Sequence, residues 1–594
     1  MNAQSLDLRS LSDGYASGRT TPTLIVEAVL ARREAASDDN VWIAQVPAAA
    51  LLARARQLEA LPPAQRSAMP LWGVPFAVKD NIDVAGLPTT AGCPAFAHPA
   101  SADATVVARL LAAGAILVGK TNLDQFATGL VGVRSPYGVA RNPFDPAYIP
   151  GGSSSGSAVA VSAGLVSFAL GTDTAGSGRV PAGFTNIVGL KPTKGLISTA
   201  GVVPACRSLD CVSIFALTVE DAMAALSVAA GPDQADPFSR RAPATATALR
   251  APFRFGVPAA ERMRFFGDAA AERLHGEALA RLEALGGERV EIDFAPFARA
   301  ADLLYSGPWV AERTAAVGAH LESALPVTRS IIMGGATKTA VETFQALYAL
   351  EECRAAAAAE WERIDVLALP TSGTIYKIAD VLADPVQTNT NLGAYTNFVN
   401  LLDLCGIAVP AGFRPDGLPA GITLLAPAFR EAAVAQLASR FHRATALPMG
   451  ATGHPLPPPG PLDYGSRGLL RLLVVGGHLS GQPLNGQLSD VGARLVAAVR
   501  TAPVYRLYAL PGHPPRPGMV RAAEGGVAIE GEIWELAPAD FGRFVAAIPA
   551  PLGVGQVELD DGSLVTGFLC ETLATADAQD ISEFGGWRAW RART

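Results

Sequence analysis

Two glycine- and serine-rich segments, each joined to an apolar run of small residues, constrain the fold of this chain more than any other feature. The first is P-G-G-S-S-S-G-S-A-V-A-V at Pro150–Val161, and the second is L-G-T-D-T-A-G-S-G-R-V-P-A at Leu170–Ala182. Glycine permits the tight turns that close such segments, and small side chains permit close packing around them. The two segments therefore predict turns at the ends of buried, strand-like runs.

The surrounding sequence alternates between short β-like runs and alanine-rich helical segments. Residues 1–60 have helical periodicity, and from Leu71 onward buried strands are expected, among them Ala115–Val118 after a helix at Val106–Gly114. Further strands are predicted at Asp365–Pro370 and Gly421–Leu425. This alternation predicts an α/β fold with a mixed or parallel sheet.

Composition and charge exclude several classes of protein. Hydrophobic residues make up 49% and charged residues 17% of the chain, which predicts a large buried core. The net charge of −7 argues against nucleic-acid binding, and no apolar run reaches the roughly 20 residues that cross a bilayer. The six cysteines show no C-x-x-C pair, and the N-terminus has no signal-peptide pattern. A cytoplasmic protein without membrane or nucleic-acid partners is therefore expected.

A proline-rich stretch, H-P-L-P-P-P-G-P at His454–Pro461, gives the clearest domain boundary. We expect a large domain at 1–445, a linker at 446–468 and a small α+β domain at 469–594. Within the small domain the pattern predicts strands at Arg471–Val475 and Val527–Leu536 and a helix at Ser489–Thr501.

Lys79 and two serines suggest nucleophilic chemistry without histidine. Ser177 follows Ala-Gly at a turn, where its hydroxyl would be accessible, and is the predicted nucleophile. Lys79 ends the apolar run G-V-P-F-A-V-K, and burial can lower a lysine pKa until the neutral amine accepts a proton. Ser153 in the first segment would bridge Lys79 and Ser177 and pass the proton to the leaving amine.

The turn around Ser177 also predicts an oxyanion hole. Successive main-chain N–H groups of Thr174, Ala175 and Gly176, together with that of Ser177, can converge on one point. Such donors stabilise the negative oxygen of a tetrahedral intermediate in acyl transfer.

The stretch from Leu71 to Pro192 resembles the amidase signature family. G-G-S-S-S-G-S and G-T-D-T-A-G-S are similar to its G-G-S-S-G-G-S and G-T-D-T-G-G-S, with Ser155 and Ala175 in place of two glycines. The resemblance implies an α/β amidase-signature fold with a mixed sheet sandwiched by helices. It also implies a triad of Ser177, Ser153 with a cis peptide, and Lys79.

Other segments resemble the allophanate hydrolases within that family. They are F-A-T-G-L-V-G-V-R-S-P-Y-G at Phe126–Gly138 and L-Y-S-G-P-W-V-A-E-R at Leu304–Arg313. Tyr305 and Arg313 lie eight residues apart, so one helix would present both on the same side, although a proline lies between them. Arginine offers a planar fork to a carboxylate.

The resemblance makes Tyr305 and Arg313 a clamp for the small anion allophanate, with the backbone near Gly129 and Val131 lining the same pocket. Without the resemblance, pairing of Arg313 with a nearby acid such as Glu312 or Asp302 would be the simpler interpretation.

The segment 469–594 resembles the C-terminal domain of allophanate hydrolases, which is similar to γ-glutamyl cyclotransferase-like folds. L-L-V-V-G-G-H at Leu472–His478 and D-I-S-E-F-G-G-W-R-A-W at Asp580–Trp590 carry this resemblance. It implies conversion of the product N-carboxycarbamate to ammonia and carbon dioxide, with His478 as the candidate catalytic residue. An assembly module without chemistry is the alternative.

Together these features predict an allophanate-hydrolysing amidohydrolase that needs no metal or organic cofactor. The resemblance also implies a homodimer acting after a urea carboxylase. The alternatives are a general small-amide or dicarboxylate amidase, one component of a glutaminyl-tRNA amidotransferase complex, and a non-catalytic scaffold.

Overall fold

In a computed structural model of the chain, the described residues are 4–243, 249, 252–459, 469–491, 493–512, 515–536 and 538–593. They fall into two compact units, one comprising 1–242 and 252–464 and the other 243–251 and 465–594. The first unit thus extends past the predicted boundary at 445. Residues 460–468 of the predicted linker lie outside the described residues.

A large mixed sheet forms the centre of the first unit, as the sequence predicts. In spatial order its strands are Trp42–Gln45, Ile116–Thr121, Pro75–Lys79, Phe168–Asp173, Cys211–Ala216, Val188–Lys191, Leu404–Phe413, Pro419–Pro427, Val366–Pro370, Phe253–Pro258 and Gly287–Ile292. A two-stranded ribbon, Pro88–Thr89 with His98–Pro99, lies apart from this sheet.

Helices flank the sheet. They are Leu8–Ala16, Pro22–Ala35, Ala48–Glu59, Pro63–Ser67, Thr105–Ala112, Ser155–Ser162, Val180–Phe184, Val219–Ala229, Ala269–Ala284, Ala295–Ser306, Trp309–Val317, Pro326–Met333, Ala340–Trp361, Ile378–Ala383, Gln387–Leu392, Phe398–Leu401 and Glu431–Thr445. The helix Ser155–Ser162 is buried along its whole length because its side chains are small. A Cβ on Gly156 would lie 2.6 Å from the main-chain nitrogen of Asn122, so glycine permits this approach.

The strand directions bring the serine segments and Lys79 together. Pro75–Lys79 runs parallel to both Ile116–Thr121 and Phe168–Asp173. The carboxyl ends of these three strands therefore meet at one edge of the sheet, where side chains for binding and catalysis commonly lie. Lys79 ends the first of these strands, and the second serine segment begins at the end of Phe168–Asp173.

The described part of the predicted linker is bonded to the first unit. The N–H groups of Gly450 and Ala451 donate to the carbonyls of Asn186 and Ser162. Arg443 donates to the carbonyl of Pro457 at 2.6 Å. These bonds explain why the unit continues beyond the helix that ends at Thr445.

The second unit is built mainly of strands. One sheet has the order Arg494–Arg500, Glu530–Leu536, Leu470–Val474, Leu564–Cys570 and Leu552–Glu558, and a smaller one has the order Arg516–Arg521, Tyr505–Leu510 and Gln579–Asp580. Its helices among the described residues are Gly486–Ser489, Pro538–Ala546 and Trp587–Arg591.

The predicted helix at Ser489–Thr501 is wrong, because most of this segment forms the strand Arg494–Arg500. That strand pairs antiparallel with Glu530–Leu536, with a shift in register between Leu495 and Ala497. Ladder pairing outweighs the helical propensity of the alanines in the segment.

Across the described ranges, no helix combines the length and the apolar character needed to cross a bilayer.

Candidate active site

Lys79 is fully buried at the end of its strand and makes two short hydrogen bonds. Its Nζ contacts Ser153 Oγ at 2.8 Å and Thr172 Oγ1 at 2.7 Å. Sequence reasoning placed Lys79 beside Ser153 but overlooked Thr172, which lies on the parallel neighbouring strand. The available signal was its position in the second serine segment, near the carboxyl end of that strand.

The environment of Lys79 favours its neutral form. Burial lowers the pKa of Lys79 to about 7, although Asp124, Asp210 and Asp173 act in the opposite direction. A substantial fraction of the amine is therefore unprotonated near neutral pH and able to accept a proton.

Ser153 follows a cis peptide bond from Gly152, and both residues are held by one neighbouring segment. The N–H of Gly152 donates to the carbonyl of Leu130 at 2.8 Å. The carbonyl of Ser153 accepts from the N–H of Asp124 at 3.0 Å. The Ser153 side chain is thereby directed to Lys79.

Ser177 lies in a buried turn that the carboxylate of Asp173 organises. Asp173 accepts the N–H groups of Gly176 at 2.9 Å and Gly178 at 3.0 Å. It also forms a buried ion pair with Arg179 at 2.9 Å. Only 3% of Ser177 is exposed to solvent.

One of the predicted oxyanion-hole donors needs correction. The N–H of Gly176 is occupied by Asp173 and is not free to meet an oxyanion. The N–H groups of Thr174, Ala175 and Ser177 have no hydrogen-bond partner in the described part of the chain. These three remain as candidate donors.

In the described part of the chain, Ser153 and Ser177 do not hydrogen-bond to each other. One loop, at Gly129 and Leu130, contacts Ser177 and the neighbour of Ser153. Ser177 Oγ donates to the carbonyl of Gly129 at 3.5 Å, which is the long limit for such a bond. The next residue, Leu130, accepts from Gly152, the neighbour of Ser153.

Asp124 shapes this loop and was missed by sequence reasoning. It accepts the N–H groups of Val131 at 3.2 Å and Gly132 at 3.0 Å, so neither is free to bind a ligand. A Cβ on Gly129, which has a φ of 153°, would lie 2.6 Å from Asp124 Oδ2. Glycine is therefore required where the loop faces Ser177.

Tyr305 and Arg313 lie near each other, but the single helix expected for them is wrong. Tyr305 belongs to Ala295–Ser306 and Arg313 to Trp309–Val317, and the helical structure is interrupted before Pro308. Proline has no N–H to continue the helical hydrogen bonds. The guanidinium carbon of Arg313 nevertheless lies 5.7 Å from the centre of the Tyr305 ring.

Arg313 is 2% exposed and makes no ion pair within 4 Å among the described residues, although nearby Asp210 and Glu312 raise its pKa. Its Nη1 donates to Thr128 Oγ1 at 2.9 Å and to the carbonyl of Ala127 at 3.3 Å. The alternative that Arg313 pairs with Glu312 or Asp302 is therefore wrong. Because Thr128 precedes Gly129, Arg313 and Ser177 contact adjacent residues of one loop.

His478 lies in the second unit, on the wall of a cavity of about 410 Å³. Its ring stacks on Phe568 with centroids 5.4 Å apart and meets the Phe544 ring edge-on at 5.1 Å. Nε2 contacts Gln487 Oε1 at 3.0 Å. Burial lowers the pKa of His478, so the neutral imidazole predominates at pH 7.

Comparisons with known proteins match both units. Residues 24–435 match the amidase family, and residues 470–592 match the allophanate hydrolase C-terminal domain. The chain is 42% identical to the urea amidolyase of Lachancea kluyveri over 96% of this chain, but it spans only 32% of that protein. It is also 42% identical to the urea amidolyase of Saccharomyces cerevisiae, covering 98% of this chain and 33% of that protein.

A solved structure also matches over nearly the full length of both chains. The allophanate hydrolase of Kluyveromyces lactis superposes with a TM-score of 0.88 and 38% sequence identity, covering 99% of each chain. This chain is an amidohydrolase that belongs to the amidase family and has an allophanate hydrolase C-terminal domain.

Proposed function

We propose that this chain hydrolyses allophanate, with Ser177 as nucleophile, Ser153 as proton relay and Lys79 as base. The observation that carries the proposal is Arg313, a buried cation that makes no ion pair within 4 Å among the described residues, although Asp210 and Glu312 lie near enough to raise its pKa. A buried charge without a direct ion-pair partner is costly, and an anion supplied by a ligand reduces that cost. The likeness to the Kluyveromyces lactis allophanate hydrolase agrees with a carboxylate as this anion.

The contacts of Arg313 and Ser177 with adjacent residues of one loop support a short substrate. Allophanate has a carboxylate at one end and a carbamoyl group at the other, separated by one nitrogen. Arg313 bonds to Thr128 while Ser177 bonds to Gly129, so a short molecule can reach both. Tyr305 adds an aromatic wall beside the guanidinium.

In the proposed reaction, Ser177 Oγ attacks the carbamoyl carbon of allophanate. Its proton passes to Ser153, whose own proton passes to neutral Lys79. The relay then returns a proton to the departing nitrogen, which leaves as ammonia. Water attacks the remaining acyl ester by the same route and releases N-carboxycarbamate. We propose the N–H groups of Thr174, Ala175 and Ser177, which have no hydrogen-bond partner among the described residues, as the donors that stabilise each oxyanion.

Comparison of allophanate with biuret tests the substrate assignment. Biuret replaces the carboxylate by a neutral amide of similar size. We expect kcat/KM for ammonia release by the full chain to be at least about 10²-fold higher for allophanate, because only allophanate neutralises Arg313. Equal kcat/KM values would contradict this assignment and favour a general small-amide amidase.

We assign the second step, decomposition of N-carboxycarbamate, to the cavity beside His478. Since an amide oxygen only accepts, the bond to Gln487 places the proton on Nε2 and leaves Nδ1 as the base. Arg516 and Arg591 also line this cavity, and their positive charges would attract an anionic ligand. The alternative is a binding module without chemistry.

The yield of ammonia per allophanate tests the role of His478. We expect nearly two ammonia molecules from the wild-type chain and, early in the time course, nearly one from His478→Ala, with N-carboxycarbamate accumulating. The initial rate of the first release serves as the control and should not change. An early yield near two from His478→Ala would exclude catalysis by this residue.

The likeness to urea amidolyases supports a place after a urea-carboxylating activity, which would supply allophanate. A homodimer in the cytoplasm, working without metal or organic cofactor, completes the proposal.

A further inference from the structure

A second cavity, of about 640 Å³, lies in the first unit and is distinct from the reaction site. None of the residues proposed above for hydrolysis lines it. Its wall includes Lys194, Arg207, Asp210, Phe238 and Trp361. This combination of cations and aromatic rings in a concave site is suited to an organic anion.

The cavity wall carries more cationic than acidic side chains among the described residues. Of the lining residues that the structure describes, four are cationic and two, Asp210 and Asp403, are acidic. Asp403 forms an ion pair with Arg240, whose Nη1 lies 2.8 and 2.9 Å from the two carboxylate oxygens. Another lining cation, Arg354, bonds to Glu351 and to a main-chain carbonyl.

Asp210 already accepts hydrogen bonds from groups of the protein. Its Oδ1 accepts from Thr174 Oγ1 at 2.5 Å and from the N–H of Cys206 at 3.1 Å. Its Oδ2 accepts from the N–H of Ala205 at 2.8 Å. Asp210 therefore holds the wall segment and does not neutralise a cation of the cavity by direct contact.

Lys194 and Arg207 remain without an acidic partner within 4 Å in the part of the chain that the structure describes. Among the described residues, Lys194 Nζ hydrogen-bonds only to the carbonyl of Ser208, at 3.5 Å. Burial lowers the pKa of Lys194, although Asp403 acts in the opposite direction. The guanidinium carbon of Arg207 lies 5.6 Å from the centre of the Phe238 ring. Both cations would gain from an anionic ligand.

We infer that this cavity binds a small metabolite carrying a dianionic group, a phosphate ester or a dicarboxylate, between Lys194 and Arg207. Two unpaired cations match two negative charges. Phe238 and Trp361 supply apolar surface for the remainder of the molecule. The site does not depend on the identity of the substrate hydrolysed elsewhere in the unit.

Calorimetric titration of the full chain with inorganic phosphate and, separately, with succinate tests the inference at constant ionic strength. We expect one site per chain for at least one anion, and the anion that binds identifies the class of group. Lys194→Met and Arg207→Met should each weaken binding about tenfold or more. Arg207 is exposed, so its variant should fold normally even if Lys194→Met does not.

Two further variants locate the binding. Arg56→Met removes an exposed arginine that does not line the cavity and should leave the Kd unchanged. Arg313→Met should also leave it unchanged, because Arg313 faces the reaction site. Failure of both anions to bind, an unchanged Kd in Arg207→Met, or loss of binding in Arg313→Met would each overturn the inference.

Discussion

Exchanging Lys79 for methionine is expected to lower kcat for ammonia release from allophanate by about 10⁴-fold. Methionine keeps the apolar stem within the buried strand but removes the amine that contacts Ser153 and Thr172. Without a base, the serine hydroxyl is a weak nucleophile. Steady-state kinetics of the purified variant measures the loss, and Ser177→Ala should lose at least as much.

Lys191→Met provides a matched control for the burial of a lysine at a strand end. Lys191 is also fully buried, but its Nζ contacts the carbonyl of Pro192 and the thiol of Cys211. This variant can lose stability, yet its kcat should stay within about tenfold of wild type, because Lys191 does not touch the reacting groups. A comparable loss in both variants would indicate that packing accounts for the effect.

The pH dependence of kcat/KM in the wild-type chain tests the same role of Lys79 as base. Because the pKa of Lys79 is lowered to about 7, its active neutral form is depleted below that pH and predominates above it. We therefore expect kcat/KM to rise with pH through about 7 and then level off. A profile that stays flat from about pH 6 to 8.5 would show that no group of this pKa serves as the base.

The parts of the site that sequence reasoning located are those encoded by local patterns. Lys79 ends an apolar run, so its place at a strand end follows from hydrophobicity alone. Ser177 follows Ala-Gly in a segment that must turn. The parallel pairing of the two strands then brings both segments to one edge, as the α/β alternation implies.

Other features depend on tertiary contacts that no local pattern reveals. Asp173 takes the N–H of Gly176, which removes a predicted oxyanion donor. Asp124 follows the strand Ile116–Thr121 and shapes the loop facing Ser177 by accepting an N–H group of that loop. The strand Arg494–Arg500 has an alanine-rich sequence, and only its pairing with Glu530–Leu536 makes it extended.

Exchanging Arg313 for methionine is the second change expected to have a large effect. The buried guanidinium makes no ion pair within 4 Å among the described residues, so a bound carboxylate would be its direct charge partner. Removing one member of a buried charged pair costs about 2–5 kcal/mol, which corresponds to an increase of roughly 30- to 4,000-fold in KM for allophanate.

Arg299→Met is the control for this exchange. Arg299 lies on the preceding helix, is exposed and pairs with Glu352 at the surface. Such a pair contributes little to stability or binding, so KM for allophanate should stay near the wild-type value.

The most direct test of substrate recognition by Arg313 compares two proteins, the wild-type chain and Arg313→Met. In each, the ratio of kcat/KM for allophanate to kcat/KM for biuret is measured. If Arg313 holds the carboxylate of allophanate, the ratio falls by about 10²-fold or more in the variant, while hydrolysis of biuret changes only a few-fold. If the ratio is the same in both proteins, Arg313 does not recognise the substrate, and the assignment of allophanate from this site is wrong.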